Sequence, residues 1–149
     1  MNTITISEAF SNAPPRSAAV LCVSRNGGST DLQMTEWFTW LNIKRNPMIS
    51  FSLPRIAGMT GRLREGTALV LAFPPLKEAK RYQEAVSADG ETAAPKTIPE
   101  DSAQVRVPAG SRVLLRCTVA GSYNSPFKKI RIFNCNLEEA MGISDSLLD

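Results

Sequence analysis

The apolar residues of this chain come in short runs, and turn formers stop each of them. The longest, Ala68 to Leu76, already includes Pro74 and Pro75. That is far short of the ~20 residues a membrane-spanning helix needs. Runs of this length bounded by Gly, Pro and Asn read as strands. Ser17 to Ser24 is followed by Arg25-Asn26-Gly27-Gly28, and Asn-Gly supplies the positive φ angles of a tight hairpin turn. A returning strand is expected from about Thr30 toward Trp37. Phe38 to Asn46 is ambiguous, and Asn46-Pro47 closes it. Met48 to Leu53 alternates, with Met48, Ser50 and Ser52 on one face and Ile49, Phe51 and Leu53 on the other.

Further along, Arg55 to Arg64 carries Ile56, Met59, Thr60 and Leu63 at helical spacing, with Gly66 as a C-terminal cap. Thr67 to Phe73 reads as a buried strand, and Leu76 to Val86 as a helix with a charged outer face. Ser87 to Ser111 contains Pro95, Pro99 and Pro108 without strong periodicity and is expected to be a long loop over a ligand or a partner subunit. Arg112 to Val119 puts Val113, Leu115, Cys117 and Val119 inward; Lys129 to Asn136 follows after a turn at Asn124-Ser125-Pro126. The fold expected is therefore mainly β, a barrel of about six short strands with about two short helices in its gaps. A doubly wound sheet would alternate strand and helix, and this chain does not.

At 149 residues the chain is expected to be a single domain over 1–149, with an N-terminal arm (1–16), the long loop (87–111) and a frayed tail (145–149). It has no histidine. That excludes Ser-His-Asp and Cys-His nucleophile activation, zinc sites of the H-E-x-x-H kind and a haem held by a proximal His. No metal site is expected. Cys22, Cys117 and Cys135 lie far apart in apolar surroundings and read as buried free thiols of a cytoplasmic protein. A net charge of +3 suits a phosphate-bearing ligand but is weak as a nucleic-acid signature. A basic barrel binding single-stranded nucleic acid through Lys44-Arg45, Lys128-Lys129, Arg131, Arg112 and Arg116, with Trp and Phe as stacking platforms, remains a further alternative.

No G-x-G-x-x-G, Walker A or G-x-S-x-G motif occurs. Met34 to Gly61 gathers the residues with chemistry to offer. Arg55 and Thr60 beside a helix start form a phosphate seat, and Trp37, Phe38 and Trp40 could wall a planar aromatic ligand. An aromatic core cluster with surface Ser and Arg accounts for the same residues, and both readings stand.

The stretch also resembles the flavin reductase-like family of FMN-binding split barrels, which implies a six-stranded Greek-key barrel. The residues carrying the resemblance are Ala19-Val20-Leu21-Cys22-Val23, Gly27-Gly28, Met34-Thr35-Glu36-Trp37-Phe38, Asn46-Pro47, Ile49-Ser50-Phe51-Ser52, Arg55 and Thr60. Leu114 to Val119 is similar to the family's late strand. The resemblance implies a homodimer with FMN, or FAD, bound near the interface and NAD(P)H as co-substrate. It implies an oxidoreductase that reduces flavin, feeding a monooxygenase or another electron acceptor, without a catalytic side chain. By the same resemblance Thr35, Glu36, Trp37 and Phe38 border the flavin, Ser50, Phe51 and Ser52 line the next wall, and Arg55 and Thr60 take the phosphate. A flavin-binding or empty module without turnover is the alternative within that fold. The chain carries Glu36 where the family has Ser, Leu71-Ala72 where members often have Val-Asn, and Phe127-Lys128-Lys129 where Asp-His is common.

Overall fold

A computed structural model describes residues 2–13, 18–25, 28–35, 37–88, 97–100, 105–126 and 129–142. Glu36, the Asn26-Gly27 turn, Phe127, Lys128 and the tail 145–149 lie outside the described residues. The protein is mostly β with a few short helices.

Six strands carry the architecture: β2 (Ala19–Ser24), β3 (Thr30–Thr35), β5 (Met48–Pro54), β6 (Ala68–Ala72), β10 (Val113–Asn124) and β11 (Ile130–Gly142). They pair antiparallel in the order β5-β11-β10-β6-β2-β3. β4 (Phe38–Asn42) extends the path beyond β5, and β7 (Val86–Ala88) extends it beyond β3. The non-consecutive pairing of β11 with β5 is the Greek-key step.

Chain length then decides the shape. β3 ends at Thr35 and β4 begins at Phe38, yet the two strands stand near opposite ends of the path. Three Cα–Cα steps reach about 11 Å at most. The sheet must therefore curl until β3 meets β5, and those strands do touch. The result is a six-stranded split barrel. Long β10 and β11 accommodate the curl with register shifts at Arg116/Cys117 and Val119/Gly121, where bulges bend the hairpin.

Both faces of the central strands are buried, which explains why β2 and β6 read as unbroken apolar runs. Alternation sends Leu21, Leu71, Leu115 and Cys117 into the barrel and Val20, Cys22, Val70 and Leu114 to the outer face. In the interior Phe38, Phe51 and Phe133 are register partners across β4, β5 and β11. Phe51 and Phe133 stack at 5.3 Å, and Phe38 meets Phe73 edge-on at 5.0 Å.

The segment 1–16, expected as an arm, contributes structure of its own. β1 (Asn2–Thr3) pairs with β11, and α1 (Ile6–Asn12) begins with a capping box between Thr5 and Glu8. α1 closes on the barrel through Phe10 against Trp40, while the Trp40 indole N–H donates to the Ala13 carbonyl at 2.7 Å.

Three expected elements differ. The helix over Arg55–Arg64 shrinks to α2 (Gly58–Arg62), because two glycines inside it each cost about 1 kcal/mol of propensity and Leu63 is already extended. Gly66 instead takes φ +90° in the turn before β6, its N–H bonded to the Val119 carbonyl. The helix over Leu76–Val86 stops after α3 (Leu76–Ala79) and a 3₁₀ turn at Lys80–Tyr82. Ala79 and Tyr82 are then buried on the outer face, and Val86–Ala88 satisfies its backbone by pairing with β3. Within the expected loop 87–111, β8 (Thr97–Glu100) and β9 (Val105–Pro108) form a hairpin. Val105 and Val107 pack on the chain's own outer face, and the Arg106 N–H donates to Thr30 Oγ1 at 2.9 Å. Among the described residues no helix is long and apolar enough to cross a membrane.

All three cysteines are buried and free. Burial raises each thiol above its ordinary value of 9.0, Cys135 to about 12. Burial likewise pushes the Tyr82 phenol up to about 12, with Cys22 and Glu78 adding to the effect.

Three outcomes follow from this packing. Leu71→Ala, in a fully buried strand flanked on both sides, should lower stability by about 2–5 kcal/mol in urea unfolding; a loss under 1 kcal/mol would contradict the central place given to β6. A thiol reagent at pH 8 should find no reactive cysteine in the native protein and all three after unfolding. Because the unfolded thiols ionise first, stability should fall as pH rises above about 9.

Candidate functional site

The candidate residues follow the chain out of the barrel seam. Thr35 ends β3, buried, with its hydroxyl donating to the Ala19 carbonyl at 3.4 Å. Trp37 stands next to the seam and is 43% exposed, so its indole offers a flat face to solvent. Its carbonyl accepts from the Ser52 N–H at 3.0 Å, which ties the crossing segment to β5. From Ser52 the strand continues through Leu53 and Pro54 to Arg55 at the surface. Trp37, Ser52, Arg55 and Thr60 are thereby strung along one strand end and the turn that follows it.

Phe38 and Phe51 belong elsewhere. Their rings are sealed in the barrel core, so a ligand at the surface meets at most their backbone. Ser50 is buried as well, with Oγ 3.2 Å from the Phe133 carbonyl and 3.0 Å from Asn134 Oδ1. Ser52 is equally buried. Leu71 and Ala72, the positions that depart from the family's Val-Asn pair, are both fully buried in β6.

Around Arg55 the surface opens into a cleft of about 650 Å³. Arg55, Thr60, Arg64, Ser122, Asn124 and Arg131 are its polar lining, with Ile56, Leu63 and Glu65 beside them. α2 is a single short turn, so its dipole adds little and the guanidinium groups supply the field. Thr60 has its hydroxyl committed to the Pro54 carbonyl at 2.7 Å; it fixes the turn and has oxygen lone pairs, not a free proton, to present. Arg131 is held in place by Ser122 Oγ at 3.0 Å and Asn124 Oδ1 at 2.8 Å. Among the described residues no carboxylate forms an ion pair with Arg55, Arg64 or Arg131. Three guanidinium groups with one nearby carboxylate make a cleft selective for anions.

Arg64, Ser122 and Asn124 were not among the residues expected from the sequence, and Arg131 was named there only for the nucleic-acid alternative. Ser122, Asn124 and Arg131 straddle the turn at Asn124-Ser125-Pro126, and the register pairs Asn124 with Arg131. The hairpin itself was legible, so placing its tip beside Arg55 required only the β11–β5 pairing. Among the described residues no group of His, Cys, Asp or Glu could hold a metal ion.

Comparison with known proteins matches the fold. No protein-family model matches the sequence, and no curated protein matches it. Solved structures do. The chain is similar to the NADH:FAD oxidoreductase SgcE6 of Streptomyces globisporus, at 15% identity and a TM-score of 0.67, covering 91% of this chain and 75% of that one. The styrene monooxygenase flavin reductase SMOB of Pseudomonas putida S12 superposes with a TM-score of 0.69 at 13% identity, over 95% of this chain and 87% of that one. An FMN-binding protein of Thermus thermophilus gives 0.65 at 13% identity, over 86% and 72%. The fold of this chain is the split barrel found in flavin reductases and FMN-binding proteins.

Proposed function

We propose that this protein binds a flavin nucleotide, FMN or FAD, in the cleft beside β5 and works as a flavin reductase-type oxidoreductase with NAD(P)H. The observation that carries the reading is the cluster of Arg55, Arg64 and Arg131, free of ion-paired carboxylates among the described residues, at the end of the strand that also holds the exposed Trp37 segment. A flavin nucleotide needs those two things together: cations for its phosphate and an aromatic, partly apolar wall for its ring. The cleft's arginines fit the phosphate, and Trp37, which is exposed but outside the cleft's own lining, is the aromatic surface assigned to the ring.

Bound flavin supplies the two-electron acceptor chemistry, and the protein contributes binding, orientation and electrostatics. In this assignment Arg55 and Arg64 pair with the phosphate oxygens. Arg131, braced by Ser122 and Asn124, adds a charge whose position is fixed before the ligand arrives. Thr60 locks the turn that aims Arg55. The Trp37 face shields one side of the ring. The fold's likeness to proteins described as flavin reductases supports the oxidoreductase reading, and supports a partner that consumes reduced flavin, such as a monooxygenase. A homodimer in the cytoplasm completes the proposal, which includes Glu36 and Thr35 bordering the ring edge.

Titration with FMN, followed by visible absorbance, tests the binding, and anaerobic NADH or NADPH tests the reduction. The expected results are saturable uptake and loss of the oxidised flavin bands on adding the nicotinamide. Arg55→Ala should weaken binding by roughly 1.5–3 kcal/mol. Uptake without bleaching would favour a flavin-carrying module without turnover. Failure to take up either FMN or FAD would overturn the reading.

A further inference from the structure

A second cationic cavity lies on the other side of α2. It encloses about 440 Å³ and is lined by Val23, Ser24, Arg25, Ser29, Arg62 and Thr67. Beneath it sits Asp31 of β3, whose side chain is only 7% exposed. Arg25, just past the end of β2, donates from Nη1 to Asp31 Oδ1 at 3.5 Å, with its Nε within ion-pair distance of Oδ2 at 3.4 Å. Arg62, at the end of α2, forms an ion pair with the same Oδ2. Two arginines from different elements thus converge on one buried carboxylate.

One carboxylate cannot neutralise two guanidinium groups. The site keeps a net positive charge, and 50% and 45% of the two arginine side chains stay exposed. Each guanidinium has five N–H donors in a fixed fork, while among the described residues Asp31 accepts one hydrogen bond from Arg25 and meets Arg62 as an ion pair through one nitrogen. The cavity walls add hydroxyls: Ser24 and Ser29 make no side-chain hydrogen bond among the described residues, and Thr67 Oγ1 accepts from the Arg64 N–H, leaving its proton to donate. The pair is therefore preorganised, desolvated on one side and ringed by donors on the other. That is the chemistry of an oxyanion seat.

Its position gives the seat a use. Arg62 lines this cavity, while Gly61, Leu63 and Arg64 line the neighbouring cleft. Consecutive Cα atoms are 3.8 Å apart, so the two cavities share the end of α2 as their common wall. We propose that Arg25 and Arg62, held by Asp31, form a second phosphate subsite that takes a nucleotide phosphate. Two sources share this chemistry: the adenylate half of a dinucleotide whose flavin end occupies the neighbouring cleft, or a separate nucleotide or free phosphate. The first source rests on the function proposed above; the second does not.

The test compares the wild-type protein with Arg25→Ala and Arg25→Gln, using FMN, FAD, 5′-AMP and inorganic phosphate as probes, by calorimetry and thermal unfolding. Arg25 is half exposed, so both variants should fold. If the dinucleotide is the source, FAD should bind about tenfold or more tighter than FMN, and both variants should erase that difference while leaving FMN affinity unchanged. If a separate anion is the source, AMP or phosphate should stabilise the wild type in a saturable, salt-sensitive way and both variants should lose the effect, with FAD and FMN alike. Variants that lose stability yet respond to every probe as the wild type does would show a structural staple only and overturn the proposal. So would a wild type that binds neither AMP nor phosphate and does not favour FAD. Absence of flavin uptake would sink the flavin reading, while the AMP and phosphate titrations would still decide this one.

Discussion

Everything in this structure depends on how little chain separates Thr35 from Phe38. Hydrogen bonding places β3 and β4 near opposite ends of one antiparallel path, and covalent length forbids them to be far apart. Only a curled sheet satisfies both. Curling creates the enclosed interior that Phe38, Phe51, Phe133, Leu71 and Leu115 fill. It also leaves one seam, between β3 and β5, where the crossing segment is fastened by the Trp37 carbonyl to the Ser52 N–H. A seam in a barrel is where backbone and side chains reach a ligand without breaking a ladder, and the candidate residues issue from it.

Division of labour around the seam follows from burial. Residues pointing inward, Phe38 and Phe51 among them, are committed to packing. Arg55 and Arg64 beyond the strand end, and Arg131 at the start of β11, line the cleft and carry charge. Ser50 and Thr60 stand between, buried hydroxyls whose bonds to Phe133, Asn134 and Pro54 hold the outer groups in position. α2 is too short to be a dipole-driven anion site; it serves instead as a post that presents arginines to both sides. Arg62 points to the Asp31 cavity and Arg64 to the larger cleft.

Much of this was legible in the sequence, and the reasons for success and failure are physical. β2, β5, β6 and the β10–β11 hairpin were readable because their apolar runs are either alternating or buried on both faces. The six-stranded barrel was therefore accessible from pattern alone. Helix lengths were not: Ile56, Met59 and Leu63 have helical spacing, but Gly58 and Gly61 undercut it, and Ile56 is 93% exposed. Leu76 to Val86 looked amphipathic because Ala79 and Tyr82 are buried, although the last residues pair as a strand. The β8–β9 hairpin was hidden by Pro99 and Pro108, which edge strands tolerate. Arg55 and Thr60 were legible as candidates because they are near in sequence to the aromatic segment. Arg131 was read only as part of a nucleic-acid groove, because only the β11–β5 register brings it beside Arg55. Asp31 and its two arginines carry no motif; their convergence exists only after folding.

The central claim is that the strand end at the barrel seam is a flavin site. Backbone amide chemical shifts, followed by NMR as FMN is added, test it most directly. The account predicts saturable shifts concentrated at Trp37, Ser52, Arg55, Thr60 to Arg64 and the Ser122–Arg131 hairpin tip, with α1 and the Leu41–Lys44 turn undisturbed. Shifts centred on α1 and Leu41–Lys44, or none at saturating FMN, would contradict it.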